Sequence, residues 1–379
     1  MTLKARAFRI LLIGAVLAAS AYAFRGQLVH LFFRSEPPPA QQSGLSRSDL
    51  PSGSLEVVAE DLEVPWAIAF LPDGGLLITE RPGHLVQVDG RQRRRYDVPG
   101  VRQAGEGGLM GLALHPDFES NRLLYVCLTA ESSDGLENRV ERYRFDAGLD
   151  ERRVIVDGIP GAHSHDGCRL GFGPDGALYI TTGDAGRPDA AQDRASLAGK
   201  VLRVTPEGKP VDENPFGTRV YSYGHRNPQG LAWDEHGRLW STEHGPSGAA
   251  SGHDELNVIE PGRNYGWPLI RGDESASDLV TPILNSGPEY TWAPGGAAYW
   301  NGRVFFGGLR GEALYEAQVA ESDAPTLRVH FHGEMGRIRA VRLGPDGLLY
   351  FGTSNRDGRG RARSRDDKLF RVDPAVFVS

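Results

Sequence analysis

The chain has 379 residues, of which 40% are hydrophobic and 24% charged, and a formal net charge of −7. That is the make-up of a globular protein, and the acidic balance, with no basic stripe interleaved with aromatics, argues against a nucleic-acid-binding face. The 49 glycines and 25 prolines are spread along the chain, which predicts many turns rather than a disordered tract.

At the N-terminus, Lys4, Arg6 and Arg9 precede the apolar run ILLIGAVLAASAYAF, residues 10–24. Basic flank, short apolar core and AYA at residues 21–23 predict a signal peptide over residues 1–25. An uncleaved membrane anchor is the alternative, because LVHLFF continues the apolar character. In either case the remainder is expected to be exported, to the periplasm or an equivalent compartment. Residues 26–54 include the Pro/Ser/Gly-rich stretch SEPPPAQQSGLSRSDLPSGS and are expected to form a linker, with the folded domain spanning residues 55–376.

Within that domain one pattern recurs. FLPDGGLLIT (70–79), FGPDGALYIT (172–181) and LGPDGLLYFG (343–352) share an apolar segment, an Asp-Gly turn and a second apolar segment. LHPDFESNRLLYVCL (114–128), WDEHGRLWST (233–242) and YWNGRVFFGG (299–308) are variants with longer, altered or shorter turns. Each unit reads as a β-hairpin whose turn glycine supplies a positive φ. A lone hairpin cannot bury its apolar face, and radial stacking of small sheets solves that problem. The expected fold is therefore all-β: a six-bladed β-propeller preceded by the N-terminal segment and linker. GFGPDG (171–176) matches the spacing of a dinucleotide-binding loop, but a strand-like segment follows it where such a loop opens a helix.

Three further stretches need an account. RQRRR (91–95) reads as a solvated loop. Cys127 and Cys168 form no CxxC motif, which excludes a zinc ribbon; they read as free buried thiols, with a mutual disulfide as the alternative. HSHDGCR (163–169) places His163, His165 and Asp166 close together, but no further His or Cys cluster completes a zinc site. Lysine occurs only at positions 4, 200, 209 and 368, so arginine is the usual cation. Arg337 and Arg339 in GRIRAV alternate at strand period and should share a face, an arrangement that suits bidentate binding of an anion.

YSYGHRNPQGLAW (221–233), DELNVIEPGRNYGWP (254–268), GLMGLALHPDFESNRLLYV (108–126) and GRIRAVRLGPDGLLY (336–350) together resemble the PQQ-dependent soluble glucose and aldose sugar dehydrogenases, the glucose/sorbosone dehydrogenase family. The likeness runs through nearly all of residues 55–372. It implies the same propeller fold and the oxidation of an aldose at its anomeric carbon, with hydride passing to PQQ and onward to a periplasmic or membrane electron acceptor. It also implies roles. His165 would be the general base and Arg226 would stabilise charge on the quinone. Glu106, Asn227, Arg310, Arg337 and Arg339 would contact PQQ. Gly245 and Pro246 would offer carbonyls to a Ca²⁺ ion at the cofactor, and Glu255 and Tyr265 would bind a second, structural Ca²⁺. This chain departs from the family at Glu106, commonly glutamine, at Arg310, often lysine, and at Asp166 and Cys168. A non-catalytic binding propeller of the same fold is the alternative.

Overall fold

The computed structural model describes residues 42–246, 252–319 and 325–378. Among the described residues six sheets are formed, each of four antiparallel strands, one of them extended by a fifth, parallel strand. Blade one comprises Pro65–Phe70, Leu76–Glu80, His84–Asp89 and Gln92–Asp97. Blade two, Leu109–Leu114, Leu123–Ser132, Gly135–Phe145 and Leu149–Pro160, has the longest strands. Blade three comprises Gly167–Phe172, Leu178–Thr182, Lys200–Val204 and Val220–Tyr223. Blade four comprises Pro228–Trp233, Leu239–Glu243, Glu255–Ile259 and the short Leu284–Asn285. Blade five comprises Pro294–Trp300, Arg303–Gly308, Ala313–Gln318 and Thr326–His330. Blade six takes Ile338–Leu343, Leu349–Thr353 and Leu369–Val372 from the C-terminal end of the chain, and its fourth strand, Leu55–Ala59, from the N-terminal end.

The first strand of every blade packs against the first strand of the next, and the ring closes between Ile338–Leu343 and Pro65–Phe70. The result is the expected six-bladed propeller. All six repeats found in the sequence fall on the hairpin joining a blade's first and second strands. In five of these turns a glycine has positive φ: Gly74, Gly176, Gly237, Gly302 and Gly347, at 73° to 88°. A Cβ on Gly74, Gly176 or Gly347 would meet no atom within 4 Å, so backbone conformation, not crowding, selects glycine there. In blade two a single helical turn, Phe118–Asn121, replaces the tight turn and ends on Arg122 in the left-handed region.

Apolar residues alternate into the wedges between neighbouring sheets, and the core is distributed around the ring. One cluster spans blades one to three and includes Trp66, Leu112, Tyr125, Leu170 and Ile180. Another joins blades four and five around Trp292, Phe306 and Tyr315. Residues 42–54, read as the end of a linker, run along blades five and six. Gln42–Ser43 pairs in parallel with Arg328 and Val329, Leu45 exchanges backbone and side-chain hydrogen bonds with His330 and Phe331, and Leu45 and Leu50 pack into the core. The expected leader or anchor, residues 1–25, lies outside the described residues. Among the described residues no helix is long and apolar enough to cross a membrane.

Two expectations are corrected. The RQRRR run is not a loop: Gln92–Asp97 is the outer strand of blade one, with its arginines exposed and Arg95 paired to the buried Glu80 at 2.7 Å. An edge strand open to solvent on one face accepts charged residues as readily as a loop. Cys127 and Cys168 are not free thiols but form a disulfide, with Cα atoms 5.6 Å apart and a sequence separation of 41. Cys127 lies in the second strand of blade two and Cys168 in the first strand of blade three, both fully buried. The bond staples one blade interface beside the loop carrying His165. Replacing both cysteines by alanine should lower the free energy of unfolding by about 2–4 kcal/mol, read from guanidinium melts of the pair variant against the parent.

Candidate functional site

The hairpin turns lie at one end of the ring, so the first strands begin, and the second strands end, at the other. That second end gathers the chemistry. A β-bulge interrupts every first strand at its opening residues: between Pro65 and Ala67, Leu109 and Leu112, Gly167 and Leu170, Pro228 and Gly230, Pro294 and Ala297, and Ile338 and Ala340. Bulges turn side chains away from the regular pleat. Here they lie beside Glu106, His165, Arg226 and Arg337, each just ahead of or within the start of such a strand.

His165 sits at φ 62° at the entry to blade three. Its Nδ1 lies 2.7 Å from Oδ1 of Asp184, and its Nε2 lies 2.8 Å from Nη2 of Arg226. Guanidinium can only donate, so Nε2 is the accepting nitrogen and Nδ1 carries the proton directed at Asp184. Asp184 also accepts hydrogen bonds from the Trp267 indole and from the backbone of Gly186, each at 2.8 Å. Burial works against its charge, but these bonds and the interaction with His165 more than offset it and hold the carboxyl below its ordinary range. The imidazole is thereby fixed in one tautomer with a lone pair on the opposite side from its carboxylate, the arrangement of a general base with an orienting acid.

Arg226 is buried, lies over the Trp267 ring at 5.3 Å, and reaches the His244 carbonyl with Nη1. Its backbone N–H is held by Glu243, which also binds Nδ1 of His225. Asn227, fully buried, accepts from the Gly167 backbone through Oδ1, while its Nδ2 meets no acceptor among the described residues.

Glu106 departs from the family pattern, and the structure supplies the partner it requires. Its carboxylate accepts from the His165 backbone N–H at 3.0 Å and from Arg359 at 2.6 Å. Burial opposes its ionisation, but Arg359 and His244 outweigh that and draw its pKa down to about 2. Arg359 in turn donates its backbone N–H to Asp357. On the far side, Nε of Arg337 is 2.9 Å from the same Asp357 carboxylate, and Nη2 of Arg339 lies 3.7 Å from it. The two arginines therefore do face the same carboxylate, although Arg337 lies ahead of the strand and the bulge between Ile338 and Ala340 interrupts the strand period on which the expectation of a shared face rested. Arg81 donates to the Asp357 carbonyl, and its buried Nε has no acceptor among the described residues. Two guanidinium groups thus share one carboxylate while a third, Arg81, binds the same residue's carbonyl, leaving local excess positive charge. Burial pushes Arg339 down to about 9, against the attraction of Asp357. Arg310 is half-buried beside Leu309, whose carbonyl accepts from Arg337.

The residues expected at a metal are less closely grouped. Gly245 and Pro246 follow His244 at the rim, and Gly245 donates its N–H to Asp254 at 2.9 Å. Asp254 is itself saturated by Thr291, Trp292 and Ala293. Glu255 is half-buried opposite Glu243, and desolvation together with that neighbour raises its pKa to about 8. Tyr265 spends its hydroxyl on Val258 and Glu260. Among the described residues no group of three or more His, Cys, Asp or Glu could hold a metal. A zinc site in HSHDGCR is likewise not formed: His163 is exposed and Asp166 turns inward to Asn138.

His165, Arg226, Asn227, Glu106, Arg337 and Arg339 are thus joined in one network at one mouth. Sequence reasoning did not find Asp184, Asp357, Arg359 or Arg81. The available signal was positional: TERPG (79–83), TTGDAG (181–186) and TSNRDG (353–358) all follow the second strand of a blade, as STEHGP (241–246) does.

The chain matches the family model described as Glucose / Sorbosone dehydrogenase over residues 62–362, and it belongs to that family of oxidoreductases. It is 34% identical to the aldose sugar dehydrogenase YliI of Escherichia coli, over 80% of this chain and 91% of that protein. Among solved structures it is similar to a Thermus thermophilus protein described as an oxidoreductase (glucose dehydrogenase), at 46% identity and TM-score 0.78, over 84% of this chain and 99% of that one. It is also similar to the PQQ-bound aldose sugar dehydrogenase of Streptomyces coelicolor, at 39% identity and TM-score 0.78, over 88% and 98% of the two chains.

The depressed Glu106 pKa has a sign that can be checked. Its stabilising contribution is complete above its ordinary value of 4.5 and is lost as pH falls toward about 2. Glu106→Gln should therefore cost on the order of 2 kcal/mol at pH 7. The gap between variant and parent thermal midpoints should close progressively between pH 4.5 and the lowest pH at which both remain folded.

Proposed function

We propose that this protein is an exported, PQQ- and Ca²⁺-dependent aldose dehydrogenase that oxidises the anomeric carbon to the lactone. The observation that carries the reading is the His165–Asp184 pair with its accepting nitrogen aimed at Arg226, set in a mouth with surplus guanidinium charge. That surplus and two donors at the mouth without acceptors among the described residues, Arg81 Nε and Asn227 Nδ2, suit a planar ligand bearing several carboxylates and a quinone. Arg337, Arg339 and Arg310 would hold the carboxylates, and Arg226 and Asn227 the quinone edge. Carbonyls of Gly245 and Pro246 suit a hard cation such as Ca²⁺, and Glu255 with the Tyr265 carbonyl a second. When bound, PQQ supplies the two-electron oxidant that takes the hydride.

The chain's own residues have defined tasks. His165 Nε2 accepts the proton of the anomeric hydroxyl. Asp184 holds the ring by Nδ1 and balances the imidazolium charge. In the structure Nε2 is engaged by Arg226, so the base is released when Arg226 turns its N–H to another acceptor. A negative oxygen forming nearby is such an acceptor, which links charge stabilisation to exposure of the base. Glu106, ionised and tied to Arg359, orients the His165 backbone rather than facing the ligand as a lone anion. The disulfide and the apolar N-terminal run support export to an oxidising compartment, with electrons passed on to a carrier there.

The test is titration of the purified protein with PQQ and Ca²⁺, followed by dye reduction on a panel of aldoses. Activity should appear, vanish with chelator, and fall at least about 10²-fold in His165→Ala. Asp184→Asn should lower kcat by about 10²-fold with KM changed far less. Arg337→Ala should weaken PQQ binding about tenfold or more with little change in the KM for sugar. PQQ binding without turnover on any sugar would instead favour a binding propeller.

A further inference from the structure

Below the mouth the channel along the propeller axis narrows to a small cavity. It is lined by Ala67, Ile68, Leu112, Leu231, Ala297, Ala340 and Val341, together with two arginines, Arg169 and Arg342. No carboxylate lines it.

Arg169 is 93% buried, being 7% exposed. Its guanidinium is fixed on three sides: Nε donates to the Gln229 carbonyl at 2.7 Å, Nη1 to the Trp66 carbonyl at 3.3 Å, and the plane lies over the Trp66 ring at 4.0 Å. Nη2 is buried with no acceptor among the described residues. Arg342 enters from blade six, one residue from the hairpin, at the end of the channel away from the mouth. Among the described residues its side chain makes no hydrogen bond or ion pair. Arg339 adds a third like charge: it donates to the Gln229 side chain at 3.0 Å, the residue whose carbonyl receives Arg169.

Guanidinium does not shed its proton to relieve such a situation. A buried charge of this kind requires a counter-charge, and none of the residues lining the cavity supplies one. A water molecule could satisfy Nη2 but would leave the summed positive charge uncancelled. The cavity volume, about 10 Å³, suits a single small particle and not a large polyatomic anion.

We propose that the channel holds a single halide-sized monovalent anion, chloride in ordinary media, bound between Arg169 Nη2 and Arg342. The ion enters from the hairpin end, where Arg342 is exposed, and is separate from the mouth. It cancels the repulsion between the channel arginines and, through Gln229, steadies the arginine that faces Asp357.

The test uses the full chain without cofactor. Crystals grown in bromide should show an anomalous peak within hydrogen-bond distance of Arg169 Nη2. The thermal midpoint should rise by about 1–3 °C in sodium chloride or bromide over sodium methanesulfonate at equal ionic strength, and Arg342→Gln should abolish that difference. Arg342→Lys, which keeps the charge, should retain part of it. A cavity without anomalous signal in bromide overturns the proposal, whether or not the variants fold. A halide effect that persists undiminished in Arg342→Gln also overturns it.

Discussion

Closure of the ring is the constraint on which the rest of the molecule depends. Blade six is completed only when Leu55–Ala59 pairs with Leu369–Val372, joining the two ends of the domain in one sheet. Until that sheet forms, Ile338–Leu343 and Pro65–Phe70 each lack a neighbour, and the wedge-shaped cores between blades lie open on one side. The site depends on the same event. Arg359 and Glu106 are 253 residues apart in sequence, and Arg81 and Asp357 are 276 apart. No local segment contains both halves of either contact. The loop-closure entropy of such pairings is recovered only when the last sheet is in place.

The polar network at the mouth shows how a concentration of buried charge is made tolerable. Each carboxylate there has at least two donors: Asp184 has His165, Trp267 and Gly186; Glu106 has His165 and Arg359; Asp357 has Arg337, Arg359 and Gly360. Among the described residues, unmet capacity lies with the donors Arg81 Nε and Asn227 Nδ2 and, beside His165, with one acceptor, Asp166 Oδ2. Donors left unsatisfied beside carboxylates that are already paired suit an anionic guest.

The fold was legible in the sequence because its punctuation is local. An Asp-Gly turn needs a positive φ whatever surrounds it, and the Asp73, Asp175 and Asp346 side chains each accept from the backbone two residues on. Residues whose meaning is local in this way reveal the repeat. His165, Arg226, Arg337 and Arg339 were found through the family resemblance, and the strand period placed the last two on one face. Asp184 gave no such signal: it looks like any turn aspartate until blade three brings it under the imidazole. The cysteines show the same limit. Nothing in the strands holding Cys127 and Cys168 says that they face each other, because the facing is a property of two adjacent blades. RQRRR misled for the opposite reason, since a four-stranded blade gives its outermost strand the exposure of a loop.

The bulge at the opening of each first strand has a consequence for how this architecture can change. All six blades offer the same two backbone slots at the rim, one ahead of the bulge and one past the end of the second strand. The pleat below the bulge carries the packing, so a substitution in a slot leaves the register of the sheet beneath it undisturbed. Recognition and scaffold are thereby insulated from each other, and a new ligand preference can be acquired slot by slot while the barrel of inner strands keeps its dimensions.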